Sequence, residues 1–123
     1  EATDRFSPLY QALTRRLRDA GATIAATPAE ASAVIHLRDD ATGREVLTVS
    51  ADNRPGEYEV YYRVAYSVSA GGQELLARQE LTRTRDYGYD EAAVLAKEHE
   101  EASLRVALAA EIADLILRRV AAL

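Results

Sequence analysis

The chain has 123 residues, no cysteine and a formal net charge of −5, from 15 basic and 20 acidic residues. That length suits one domain with a real core, a hydrophobic share of 48% excludes a disordered chain, and the acidic balance argues against nucleic-acid binding, which needs a basic face. The missing cysteines exclude disulfides, thiol catalysis and cysteine-held metals, and no apolar run is long enough to span a membrane as a helix.

Ser7-Pro8 marks a helix start, with serine as N-cap and proline at the first helical position, where its missing N–H costs nothing. Leu9, Leu13 and Leu17 then form one apolar stripe, with Arg15, Arg16 and Arg18 largely off it. Gly21 closes the pattern, so the first helix is predicted over about residues 8–20. Residues 22–26 fit a short extended segment, and residues 27–30 a turn or a single helical turn. From Ala33 the period becomes two: Ala33, Ile35 and Leu37 share a face, which Leu47, Val49 and Ala51 are expected to continue. The polar insert at residues 39–43 reads as a bulge in one long bent strand, in preference to a tight turn between two short ones.

Residues 53–56, Asn-Arg-Pro-Gly, are expected to form a turn. The strongest periodicity follows, over residues 57–70. Tyr58, Val60, Tyr62, Val64, Tyr66 and Val68 occupy one face, and Glu57, Glu59, Tyr61, Arg63, Ala65, Ser67 and Ser69 the other. Gly71-Gly72 is a two-residue hairpin signal, after which residues 73–87 return antiparallel. Asp90 is expected to cap a long final helix with Leu108, Ile112, Leu115, Ile116, Val120 and Leu123 on its apolar stripe. At strand rise the central strand spans roughly 46 Å, and at helix rise residues 90–123 span roughly 50 Å. One helix can therefore lie along the strand with the first helix beside it. The expected fold is a single α+β domain over residues 1–123, a two-layer sandwich with two helices packed on one face of a long, largely antiparallel sheet.

Catalytic chemistry has little to stand on. His36 and His99 lie on different elements without a metal-spaced partner, and no phosphate loop or nucleophile elbow is present. Asp39-Asp40 reads as turn chemistry. The run Lys97, Glu98, His99, Glu100 and Glu101 points in several directions around a helix, which makes it a solvated charged face and not a metal site. No metal, cofactor or enzymatic activity is expected. Tyr58, Tyr62 and Tyr66 read as core, while Tyr61, Tyr87 and Tyr89 are either interface anchors or ordinary half-exposed rings. Topology gathers Arg54, Arg83, Arg85 and Lys97 at one end of the sandwich. There they form either an anion-contacting end, since arginine forks and lysine point charges suit phosphate, or a solvated set paired with Asp86, Asp90 or Glu57.

Three stretches, SPLYQALTRRLRDAGA, PGEYEVYYRVAYSV and RDYGYDEAAVLAKEHEE running into IADLILRRVAAL, resemble in their joint order the LptE family. The resemblance implies a lipid-anchored lipoprotein on the periplasmic side of the outer membrane, seated as a plug inside the LptD β-barrel and binding lipopolysaccharide. A barrel lumen is polar and wet, which suits a plug with tyrosines and arginines on its sheet. It further implies lipopolysaccharide contacts at Lys97, which matches the family's helix position directly, and at Arg54, which matches approximately, with Arg83 and Arg85 beside them. The barrel interface would use Tyr61, Arg63, Tyr87 and Tyr89. The family's lipidated N-terminal cysteine is not in this chain, and residues 1–5 are expected to be the stub of a family strand that precedes the first helix. Two other classes compete: a periplasmic module for a different partner, and a small-molecule enzyme on a nuclear-transport-factor-like curved sheet, which would need an acid or base lining a deep pocket.

Overall fold

The computed structural model describes residues 6–49, 55–88 and 94–123, except for the side chains of residues 47–49, 55–56, 87–88 and 94–98. Its elements run α1 (Pro8–Asp19), a 3-10 turn (Pro28–Glu30), β1 (Val34–Val49), β2 (Pro55–Ala70), β3 (Gln73–Gly88) and α2 (Val94–Ala121). The strands form an antiparallel sheet in the order β1-β2-β3. Both helices lie on one face, as the two-layer expectation required.

Local chemistry explains α1. The Ser7 side chain accepts a hydrogen bond from the Tyr10 N–H at 3.0 Å, with Pro8 just inside the helix. At the other end the Gly21 N–H donates to the Arg18 carbonyl and the Ala22 N–H to the Leu17 carbonyl, each at 2.9 Å, the paired bonds of a Schellman stop. Leu9, Ala12 and Leu13 are buried and Leu17 packs at the margin of the core. Residues 22–26 join no strand.

The central strand places its faces as the alternation predicts. Tyr58, Val60, Tyr62, Val64, Tyr66 and Val68 are all buried under the helices, with Leu37, Leu76, Leu108, Ile112 and Ile116. Each large aliphatic side chain removed from water there contributes about 1.5–3 kcal/mol. On the opposite face Ala65 is buried too. Pro55 and Gly56 begin β2, so the strand starts earlier than the expected turn allowed, and the rest of that turn lies outside the described residues. Gly71 and Gly72, at φ 56° and 81°, make the hairpin turn, whose two left-handed positions strain any residue with a Cβ. The Asp90 cap also lies outside the described residues. Leu123, predicted on the buried stripe, is 51% exposed, because α2 ends at Ala121.

β1 is one bent strand, as expected, but the bend changes which residues face the helices. Arg38 pairs with Ala65 and Ala41 with Arg63, so Asp39 and Asp40 together oppose one residue of β2, with Asp39 at φ 52°. Before the bulge Ile35 and Leu37 share the helix-facing side; after it Thr42, Arg44 and Val46 do, opposite Tyr62, Val60 and Tyr58. The expectation that the odd-numbered apolar residues keep one face through this segment is therefore corrected. An inserted residue reverses the alternation.

Candidate functional site

The end of the sandwich where β2 begins and β3 closes carries the basic residues. Arg44, Val60 and Arg85 form one cross-strand row on the helix side of the sheet. From the β3 edge, Arg85 Nη2 donates to Glu111 Oε2 of α2 at 2.8 Å. On the β1 edge, Arg44 Nη1 donates to Glu101 Oε2 at 3.2 Å, while Arg105 Nη2 donates to Glu101 Oε1 at 2.9 Å. The Arg44 guanidinium also lies 4.8 Å from the centroid of the Tyr58 ring. One helix is thus fastened to both sheet edges across the same row.

This arrangement revises the reading of residues 97–101 as a solvated face. His99 and Glu100 are exposed, but Glu101 is 7% exposed and held by two arginines. No group of potential metal ligands assembles among the described residues. Arg83 shares the helix side of β3 with Arg85 and donates to the Thr82 carbonyl at 2.9 Å. Position 97 lies in the first turns of α2, one turn before Glu101, although the Lys97 side chain is outside the described set. Arg54 lies outside the described residues altogether. Arg83 and Arg85 lie on the same side of β3, and among the described residues Arg85 pairs with Glu111 of α2. Arg44, Arg105 and Glu101 were missed. Glu101 and Arg105 stand four apart with the acid first, a helix pair readable in the sequence, whereas Arg44 joins them only through the fold.

The other sheet face is polar. Tyr61 lies flat across β1 over Gly43, where an added Cβ would come within 2.7 Å of the Tyr61 hydroxyl oxygen. Arg63 stacks on the Tyr61 ring at 5.0 Å and is itself exposed. Beside them Arg78 reaches from β3 to Asp39 in the β1 bulge and to Glu80, rimming a hollow of about 230 Å³ over Val64 and Ala65. His36 and Ser69 share a hydrogen bond at 2.9 Å, a local pairing of neighbouring strands. Of the expected interface residues, Tyr61 and Arg63 stand on this face; the Tyr87 side chain and Tyr89 are outside the described set.

A cavity of about 350 Å³ lies between α1, residues 22–33 and the start of β1, lined by residues such as Leu13, Leu17, Ile24, Ile35 and Val68. Among the described residues its lining includes no Asp, Glu, His, Lys or Arg. Its described lining is apolar or hydroxyl-bearing, unlike the acid- or base-lined pocket of the enzyme alternative.

Fold and site define a two-layer α+β domain, with one sheet face covered by ion-paired helices and the other left polar. The chain belongs to the LptE family, described as Lipopolysaccharide-assembly, which it matches over residues 2–120. The family consists of outer-membrane lipoproteins that serve lipopolysaccharide assembly and not catalysis. Among solved structures the chain is similar to rare lipoprotein B of Shewanella oneidensis, at 27% identity and a TM-score of 0.83, covering 99% of this chain and 91% of that one. It is also similar to lipoprotein B of Nitrosomonas europaea, at 26% identity and a TM-score of 0.83, covering 98% of this chain and 78% of that one. A minor lipoprotein of Acinetobacter baumannii shares the fold at 20% identity and a TM-score of 0.78, covering 99% of this chain and 87% of that one. No curated protein sequence matches the chain. No helix among the described residues is long and apolar enough to cross a membrane.

Proposed function

We propose that this domain works at the periplasmic side of the outer membrane, held there by a lipid anchor, as a plug within an LptD-like β-barrel to which it helps deliver lipopolysaccharide. Membership of a lipopolysaccharide-assembly family carries this reading, and the two sheet faces support it. The helix-free face, with Tyr61 and Arg63 presented over a rigid strand, suits the wet polar wall of a barrel lumen. The opposite side carries Arg83 and Arg85 on β3, where Arg85 meets Glu111 of α2. Arg54 and Lys97, with Arg83 and Arg85, are the proposed lipopolysaccharide contacts; Tyr61, Arg63, Tyr87 and Tyr89 are the proposed barrel contacts.

Two measurements test it. Recovery of the lipidated protein from detergent-solubilised outer membrane is expected to bring a large β-barrel in equal amount; a soluble partner in its place would favour a module of another system. The double variant Arg54→Asp, Lys97→Asp is expected to weaken lipopolysaccharide binding at least tenfold with an unchanged circular dichroism spectrum, since each reversal replaces an attraction by a repulsion. Unchanged binding would remove these two residues from the site while leaving the plug role standing.

A further inference from the structure

The helix-free face of the sheet is ordered by charge along its length. Odd-numbered residues of β2 stand on it with their cross-strand neighbours: Glu45 and Asp86 beside Glu59, Gly43 and Thr84 beside Tyr61, Ala41 and Thr82 beside Arg63. Three carboxylates thus occupy one row, and among the described residues none of them forms an ion pair. Like charges directly opposite each other destabilise paired strands, so the row carries a cost that a cation from outside would remove. Two rows along, Arg63 is exposed and stacks on the Tyr61 ring at 5.0 Å. It too forms no ion pair among the described residues. Stacking settles the guanidinium plane and leaves its N–H donors to the solvent. Beyond Arg63 the charges are already matched. Arg78 crosses β2 to reach Asp39 and lies 3.7 Å from Glu80, and Ala65 under this strap is 2% exposed. The hollow between the strap and Arg63 has a volume of about 230 Å³, with Thr82 on its wall, which is room for a side chain. Arg78 is committed to two carboxylates, whereas Arg63 is committed to none.

We infer that this face docks on a partner β-sheet whose charge order is the reverse of its own: a carboxylate side chain enters the hollow and meets Arg63, and a lysine or arginine meets the row of Glu45, Glu59 and Asp86. The inference rests on the plug reading and deepens it, since a barrel wall is itself a sheet. The spacing suits such a wall. Glu59 and Arg63 stand four residues apart, roughly 13 Å at strand rise, and a facing strand repeats its side chains with the same period. Stacked sheets lie about 10 Å apart, a gap that long charged side chains span. Tyr61 sits between the two charges as an aromatic anchor. Ends of unlike sign favour one orientation and penalise the reversed one, so the face sets which way round the domain sits against its partner.

The bland alternative is a solvated face whose charges only keep the domain soluble. Reversing the charges singly and together separates the two readings. The full-length lipidated protein is recovered from detergent-solubilised outer membrane, and the barrel that comes with it is quantified. Arg63→Glu and Glu59→Lys are each expected to lower the barrel recovered about tenfold, an attraction having become a repulsion. The exchange of Glu59→Lys with Arg63→Glu restores the net charge and reverses only its order. It is expected to recover no more barrel than the weaker single variant. Parent-level recovery by the exchange would show that net charge alone matters and would overturn the inference, as would parent-level recovery by either single variant. These outcomes leave the plug reading standing, because the parent still brings a barrel. A parent that brings none removes the plug reading and the inference together. Urea midpoints of the same purified proteins check folding. Should a reversal unfold the domain, Arg63→Gln and Glu59→Gln carry the test: each is expected to lower recovery about threefold, half the effect in free energy, and unchanged recovery overturns the inference.

Discussion

Tyr62 shows how much one side chain decides here. Its ring is fully buried, and its hydroxyl oxygen accepts the Leu9 N–H at 3.0 Å, joining the middle of the sheet to the first turn of α1. Burial, and then the neighbouring Asp40 carboxylate, raise its pKa well above the ordinary 10.0. Tyr66 is shifted upward by burial as well. For a group whose folded pKa is raised, the unfolded chain loses its proton first. Stability is therefore full below the unfolded value and falls as pH climbs through and beyond it. Tyr62→Phe is expected to cost about 1–2 kcal/mol at neutral pH, because the buried Leu9 N–H loses its acceptor. Urea denaturation should also show a smaller loss of stability above pH 10 than in the parent, Tyr66 supplying what remains.

At the scale of the element, the helices and the central strand are set by their own residues, while β1 depends on its neighbours. The Ser7 cap and the paired bonds at Gly21 are contacts within a few residues, which is why the helix could be placed almost to its ends. Ser7→Ala should cost about 1 kcal/mol, the usual loss on removing a serine cap, read as a lower thermal midpoint with no change in fold. The bulge at Asp39 and Asp40 was visible as a polar interruption, but its effect on the faces was not. One extra residue opposite β2 exchanges the sides of all that follow, and that puts Arg44 beneath α2.

The whole molecule presents one closed face and one open one. Ion pairs at both sheet edges, with Arg16 and Asp114 joined at 2.6 Å between the helices, hold the closed layer together. The more exposed of these, Arg16–Asp114 and Arg85–Glu111, contribute little singly, about 0–1 kcal/mol each. The open face supplies a test of the plug reading. Tyr61→Ala with Arg63→Glu touches no core residue and should leave the urea midpoint within the range of surface substitutions. Recovery of the barrel partner should nevertheless fall, since an aromatic anchor and a cation are removed from the centre of the proposed interface. Undiminished recovery would place the barrel contact elsewhere.

Period-two alternation from Tyr58 to Val68, capping at Ser7 and the Gly71-Gly72 turn are near-neighbour effects, so the element order, the buried face of β2 and the two-layer architecture follow from the amino-acid order alone. Three quoted stretches also carried the family resemblance. Charge partners are another matter. Arg44 and Glu101 lie 57 residues apart, and Arg85 and Glu111 26 apart. Both pairs form only because a bulge turns β1 and α2 lies over the sheet they edge. Electrostatic pairing at hydrogen-bond distance is sensitive to ångström placement, and periodicity resolves only which face a residue takes. Faces were legible in the amino-acid order, whereas tertiary packing decided which cations are locked to a buried acid.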